Sequence, residues 1–141
     1  MILGSGVDLV EIERIRSAVE RHGERFLKRI FTPDEIRYSR SNRDFYPHLA
    51  ARFAAKEAVV KAMGNGFRAP VSWRDIEVSK DIYGRPGIIL HNHARDILNV
   101  RNEPDILVSI SHTKNYAIAS VIVVGEKQSD KFFKTASKTK T

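Results

Sequence analysis

The spacing of apolar positions changes several times along the chain, and each change marks an element. Ile2 to Val7 reads as a short strand in which Gly4 and Gly6 let another backbone come close, ending at Asp8. From Leu9 the period turns helical. Ile12, Ile15 and Val19 share one face, while Glu11, Glu13, Arg14, Arg16, Glu20 and Arg21 occupy the others as far as Gly23. A second helical piece covers Glu24 to Ile30. After Phe31, the run Thr32-Pro33-Asp34-Glu35 supplies an N-cap, a proline in the first turn and the glutamate of a capping box, so another helix begins there. The strongest helical pattern spans Pro47 to Met63, with alanines at packing positions, Leu49, Phe53 and Val60 on a buried stripe, and Gly64 just beyond its end.

Downstream, Asp75 to Ser79 and Gly87 to Leu90 read as strands joined through Tyr83-Gly84-Arg85-Pro86, and His91 to Val100 as a helix. Ile106 to Ser111 and Ala117 to Val124 are β-branched runs separated by a short polar link, which predicts an antiparallel hairpin. Helices around a small, largely antiparallel sheet make the expected class α+β. One domain is expected over residues 1–125, followed by a basic, disordered tail over 126–141 whose only large apolar residues are Phe132 and Phe133.

A chain of 141 residues buries roughly two-thirds of its unfolded surface, enough for one core without a staple. It contains no cysteine, which excludes thiol catalysis, disulfides and cysteine-bound zinc and leaves any metal to oxygen or imidazole ligands. No signal peptide or membrane-length apolar stretch is evident, so a soluble, cytoplasmic protein that does not engage a membrane is expected. The formal net charge of +7 points to an anionic partner. Five lysines against Glu126 and Asp130 place +3 of it in the tail, so the body is only moderately basic.

Two carboxylates stand out. Asp8 lies at the expected strand-to-helix junction, where it is either a cap, since Asp8 and Glu11 spell a capping box, or a site residue. Glu57 shares a helix with Arg52, Lys56 and Lys61. The pairs Arg52/Lys56 and Glu57/Lys61, each four apart, read either as ordinary surface charges or as a cluster overlooking a cleft. Gly64-Asn65-Gly66 lacks the lysine and hydroxyl of a Walker loop, so it is a C-cap or an amide cradle for phosphate. No nucleophile elbow surrounds Ser109 or Ser111, and His112 falls in the hairpin link.

Taken together, Gly6-Val7-Asp8-Leu9-Val10, Phe31-Thr32-Pro33-Asp34-Glu35, Arg52-Phe53-Ala54-Ala55-Lys56-Glu57-Ala58 with Lys61 and Ala62, and Ser109-Ile110-Ser111-His112 resemble the holo-acyl-carrier-protein synthase family of small phosphopantetheinyl transferases. The resemblance covers about residues 1–125. It implies transfer of 4'-phosphopantetheine from coenzyme A to a serine of apo acyl carrier protein in fatty acid biosynthesis, releasing adenosine 3',5'-bisphosphate. Asp8 and Glu57 are then the Mg²⁺ ligands and catalytic residues. Arg52, Lys56, Lys61, Gly64, Gly66 and His112 are cofactor contacts, and Arg85 and Pro86 complete a site across the interface of a homotrimer. Arg14, Arg21 and Arg25, beside Arg16, form the basic surface expected to meet an acidic carrier helix.

A nucleic-acid-binding module would explain the charge but not the pairing of Asp8 with Glu57, and no nucleic acid partner is expected. A non-enzymatic phosphate-binding domain of the same fold is the other alternative. If residues 126–141 build no core, deleting them should leave the melting temperature and the transfer rate nearly unchanged; a large loss in either would mean that the tail docks.

Overall fold

The computed structural model describes residues 1–64, 71–100 and 103–125; Gly66 and the tail lie outside the described residues. Strand β1 (Ile2–Glu11) leads into helices α1 (Ile12–His22), α2 (Glu24–Ile30), α3 (Pro33–Arg40) and α4 (Phe45–Met63). A 3-10 turn at Trp73–Asp75 precedes the hairpin of β2 (Ile76–Lys80) and β3 (Pro86–Leu90), followed by α5 (Asn92–Val100) and the hairpin of β4 (Asp105–His112) and β5 (Tyr116–Val124). The α+β class holds, but the strands form two antiparallel sheets, a three-stranded one in the order β1-β5-β4 and the separate β2-β3 pair.

The first expected boundary is corrected. β1 does not end at Asp8 but continues to Glu11, because Asp8, Leu9, Val10 and Glu11 pair with Ala119, Ile118, Ala117 and Tyr116 of β5. That partner is more than a hundred residues away in sequence, so the local period around Leu9 carried no trace of it. The capping alternative for Asp8 fails with the boundary: the N-cap of α1 is Glu11, without a side-chain hydrogen bond. The other large shift is at α4, which begins at Phe45 with Asp44 Oδ1 accepting from the Tyr46 amide. Pro47 is accommodated in its first turn, where the missing N–H leaves no bond unmade.

Helix α4 runs through the core, and Leu49, Ala50, Ala54, Ala55, Ala58 and Val59 are wholly buried. Its small residues let β1 approach closely. A Cβ on Gly4 would lie 2.1 Å from the Ala62 carbonyl oxygen, and one on Gly6 would lie 2.2 Å from that of Ala58. Glycine is required at both positions by contact with backbone that cannot turn aside.

Within this core sits an ion pair. Lys56 Nζ donates to Glu35 Oε1 at 2.7 Å, to the Trp73 carbonyl at 3.0 Å and to the Ile76 carbonyl, and both charged side chains are fully buried. Glu35 also completes the expected capping box by accepting from the Thr32 amide at 2.9 Å, while its other oxygen accepts from the Val78 amide at 2.9 Å. The capping glutamate of α3 thereby ties α4 to β2. Burial pushes the Lys56 ammonium below its ordinary pKa, and Glu35 opposes the shift.

Truncating one member of such a pair leaves a buried charge unmatched. Lys56→Met should cost about 3–5 kcal/mol, and Lys56→Met with Glu35→Gln less than the two single losses combined, as measured by urea unfolding. For the helix–strand contact, Gly6→Ala should destabilise by about 1–3 kcal/mol. Ser5→Ala, whose side chain points away from α4, should cost less than Gly6→Ala in the same assay.

Candidate active site

The close approach of α4 to β1 determines what stands beside Asp8. Alternation along β1 turns Gly4, Gly6, Asp8 and Val10 toward the helix and Ser5, Val7 and Leu9 away from it. Lys61 reaches across to donate to Asp8 Oδ1 at 2.8 Å and to the Val7 carbonyl at 3.2 Å. Glu57, one turn earlier and half-buried, has its carboxyl pushed above the usual range, first by burial and then by the negative charge of Asp8, with Lys61 opposing. The hydrogen bond to Asp8 raises the affinity of Lys61 for its own proton.

Two neighbouring carboxylates with one exposed ammonium leave negative charge to be neutralised. Among the described residues no group of three or more metal-ligating side chains converges. A cation held at Asp8 and Glu57 would therefore have two protein ligands and would complete its shell from water or substrate oxygens, the habit of Mg²⁺. The donor set fits that ion.

The reading of Arg52 and Lys56 as exposed charges is corrected. Lys56 has no exposed surface, and its three donors are taken by Glu35, Trp73 and Ile76, so it cannot also contact a phosphate. Arg52 is equally buried but differently placed. Its guanidinium lies 4.2 Å from the centre of the Tyr38 ring, and Nη1 donates to the His48 carbonyl at 3.2 Å. Nε has no partner, and no carboxylate forms a salt bridge with Arg52 among the described residues.

Around Arg52 the fold assembles residues that sequence reasoning missed. Lys80 lies 4.8 Å from the Tyr38 ring centre, and the His48 ring packs edge-on against both Tyr38 and His112. The Lys80 hydrogen bond, aided by the charges of Lys80 and Arg52, lowers the Tyr38 phenol. Burial and the neighbouring charges of Arg52, His112 and Lys80 lower His48. Of the three missed residues, His48, four before Arg52, was the one with a sequence signal. Tyr38 and Lys80 arrive from α3 and β2, and no periodicity could join them.

The remaining candidates are scattered in the single chain. Gly64 is the C-cap of α4, with its amide directed to the Val60 and Lys61 carbonyls. Arg85 and Pro86 belong to the β2–β3 hairpin, where Asp81 Oδ1 accepts from the Arg85 amide, and so to a different sheet from Asp8. Arg14 and Arg21 line a cleft of about 320 Å³ on α1, and Arg25 is exposed at the start of α2. Arg16 instead pairs with Glu13 and covers the Tyr46 ring, which takes it out of that basic surface.

Residues 4–121 match the model of the 4'-phosphopantetheinyl transferase superfamily. The holo-[acyl-carrier-protein] synthase of Koribacter versatilis is 47% identical over 123 residues, which cover 87% of this chain and 98% of the relative. The crystal structure of the holo-[acyl-carrier-protein] synthase of Neisseria meningitidis superposes with a TM-score of 0.80 at 34% identity, covering 90% of this chain and 100% of that one. The Helicobacter pylori synthase, solved in complex with coenzyme A, gives a TM-score of 0.71 at 34% identity over 84% of this chain and 98% of its own. Sequence, fold and the joining of Asp8 to the Lys-Glu-Ala helix agree: the chain belongs to the holo-[acyl-carrier-protein] synthase family of 4'-phosphopantetheinyl transferases.

Proposed function

We propose that this chain transfers 4'-phosphopantetheine from coenzyme A to a serine of apo acyl carrier protein, in fatty acid biosynthesis, with Mg²⁺ held by Asp8 and Glu57. The observation that carries the reading is the meeting of these two carboxylates with Lys61 at the contact between β1 and α4. The serine oxygen forms a bond to the proximal phosphorus, the bond from that phosphorus to the bridging oxygen breaks, and adenosine 3',5'-bisphosphate leaves. Bound Mg²⁺ would offset the charge that builds on the phosphate oxygens.

The chain's own groups divide the remaining work. Lys61, exposed and fixed by Asp8, presents a cation to the diphosphate. Glu57, with its raised proton affinity, suits the role of accepting the serine proton directly or through a water. Arg52, as buried as Lys56, holds Tyr38 and the His48 carbonyl in place, which leaves His112, packed on His48, as the candidate for a second phosphate contact.

The outer face of the three-stranded sheet supports self-association, which the family resemblance makes a homotrimer. Leu3, Val7, Leu9, Leu107, Tyr116 and Ile118 are all exposed on it, an apolar patch that association would cover. In that assembly Arg85 and Pro86 of one copy would complete the site of a neighbour.

Incubation with coenzyme A, Mg²⁺ and an apo carrier protein should add the mass of phosphopantetheine to the carrier, as read by mass spectrometry; an unchanged mass overturns the proposal. Asp8→Asn and Glu57→Gln should each lower turnover by about 100-fold or more, on the scale of losing a group that stabilises transition-state charge. The double variant should be scarcely worse than the worse single one, because residues acting as a unit are non-additive. Mg²⁺ titrations should shift to higher concentration in any variant that retains turnover. Near-normal rates in both folded single variants at limiting Mg²⁺ would remove the metal assignment.

A further inference from the structure

A cleft with apolar walls and a basic rim lies away from Asp8 and Glu57, between α2 and α3. Its volume is about 550 Å³, with Pro33 and Ile36 in its walls above the buried Phe31, and Lys28, Arg37, Arg40 and Arg74 around it. Two carboxylates temper these cations. Arg40 pairs with Glu24 across the mouth, and Arg37 pairs with Asp34 at 3.0 Å. Lys28 and Arg74, both exposed, have no carboxylate partner among the described residues, so the rim keeps a net positive charge.

We propose that this cleft is a second docking surface for the carrier protein, receiving an apolar side chain from an acidic segment whose carboxylates meet the rim. The inference rests on the transferase reading, which supplies the partner. Charge complementarity favours a protein segment over a small anion because the cations do not converge. Asp34 and Glu24 draw Arg37 and Arg40 toward opposite ends of α3, and positions 34 and 40 are about 9 Å apart along a helix. Acidic side chains one or two turns apart on a partner helix would match that spread, whereas one headgroup would reach only part of it. The cleft also adjoins the basic face of α1. Arg21 and His22 line the α1 cleft, Glu24 lines this one, and only Gly23 separates them. A carrier seated on Arg14 and Arg21 would thus meet the second cleft by continuing past the corner between α1 and α2.

The test uses full-length protein and the apo carrier, comparing Lys28→Glu with Arg74→Glu against the reference pair Arg14→Glu with Arg21→Glu. Carrier binding without coenzyme A is followed by fluorescence anisotropy, and steady-state kinetics supply the KM for each substrate. The Lys28/Arg74 variant should bind carrier about tenfold more weakly at low salt, converge on the parent at high salt and keep its KM for coenzyme A. Ile36→Ser should weaken carrier binding at both salt concentrations, with its folding checked by thermal unfolding.

Normal carrier binding by the Lys28/Arg74 variant, with weakened binding by the reference pair, would overturn the second surface alone. A parent protein that neither binds nor modifies carrier would overturn the transferase reading beneath it. Loss of coenzyme A affinity together with carrier affinity would mark a structural defect and also overturn the proposal. So would dodecanoate binding that these substitutions abolish while carrier binding persists, since the cleft would then belong to a small amphiphile.

Discussion

Burying an ammonium group is tolerable only where every proton finds an acceptor and the charge finds its opposite, and at Lys56 both conditions are met by pieces of chain remote in sequence. Glu35 comes from the first turn of α3, Trp73 from the 3-10 turn and Ile76 from β2. Because Glu35 also caps α3 and accepts from Val78, one carboxylate fixes where that helix begins and where the second sheet starts. Helix α4 is thereby held from its inner side, and the residue after Lys56 is Glu57, the carboxylate proposed to hold the metal. The position of Glu57 is thus set by a buried neighbour whose own donors are all taken inside the core.

This arrangement explains what could be read from the residues alone. The Thr32-Pro33-Asp34-Glu35 box, the helix ending at Gly64 and the final hairpin are local signals, and they survived because their partners lie within a turn or a few residues. Asp8 and Glu57 were found as a pair only through family likeness, because pattern alone left each with an ordinary alternative. Where pattern failed, the deciding partner was distant: β5 for residues 8 to 11, and Glu35 for Lys56. Helical spacing puts Arg52 and Lys56 on one face but cannot say whether that face meets water or protein.

The two polar clusters on α4 also differ in kind. Around Lys56 every donor is matched, which is how a structural charge looks. Around Arg52 the guanidinium rests on an aromatic ring with one nitrogen unmatched, and Glu35 acts on it only through its charge, without a salt bridge among the described residues. Burial works against the Arg52 charge, and Tyr38 and Glu35 oppose that effect only in part. The contrast between two buried cations four residues apart was invisible in their spacing.

The contact of Gly4 and Gly6 with the carbonyls of α4 bears on how the gene can drift in length. Strand side chains alternate with a period of two, so inserting or deleting one codon between Gly6 and Asp8 would turn the carboxylate onto the far face of the sheet and put a branched side chain against the helix backbone. The β2–β3 turn, where Ile82 and Tyr83 project into solvent, faces no such restriction within the single chain. A change of length is therefore tolerated far less between Gly4 and Asp8 than at Ile82 and Tyr83.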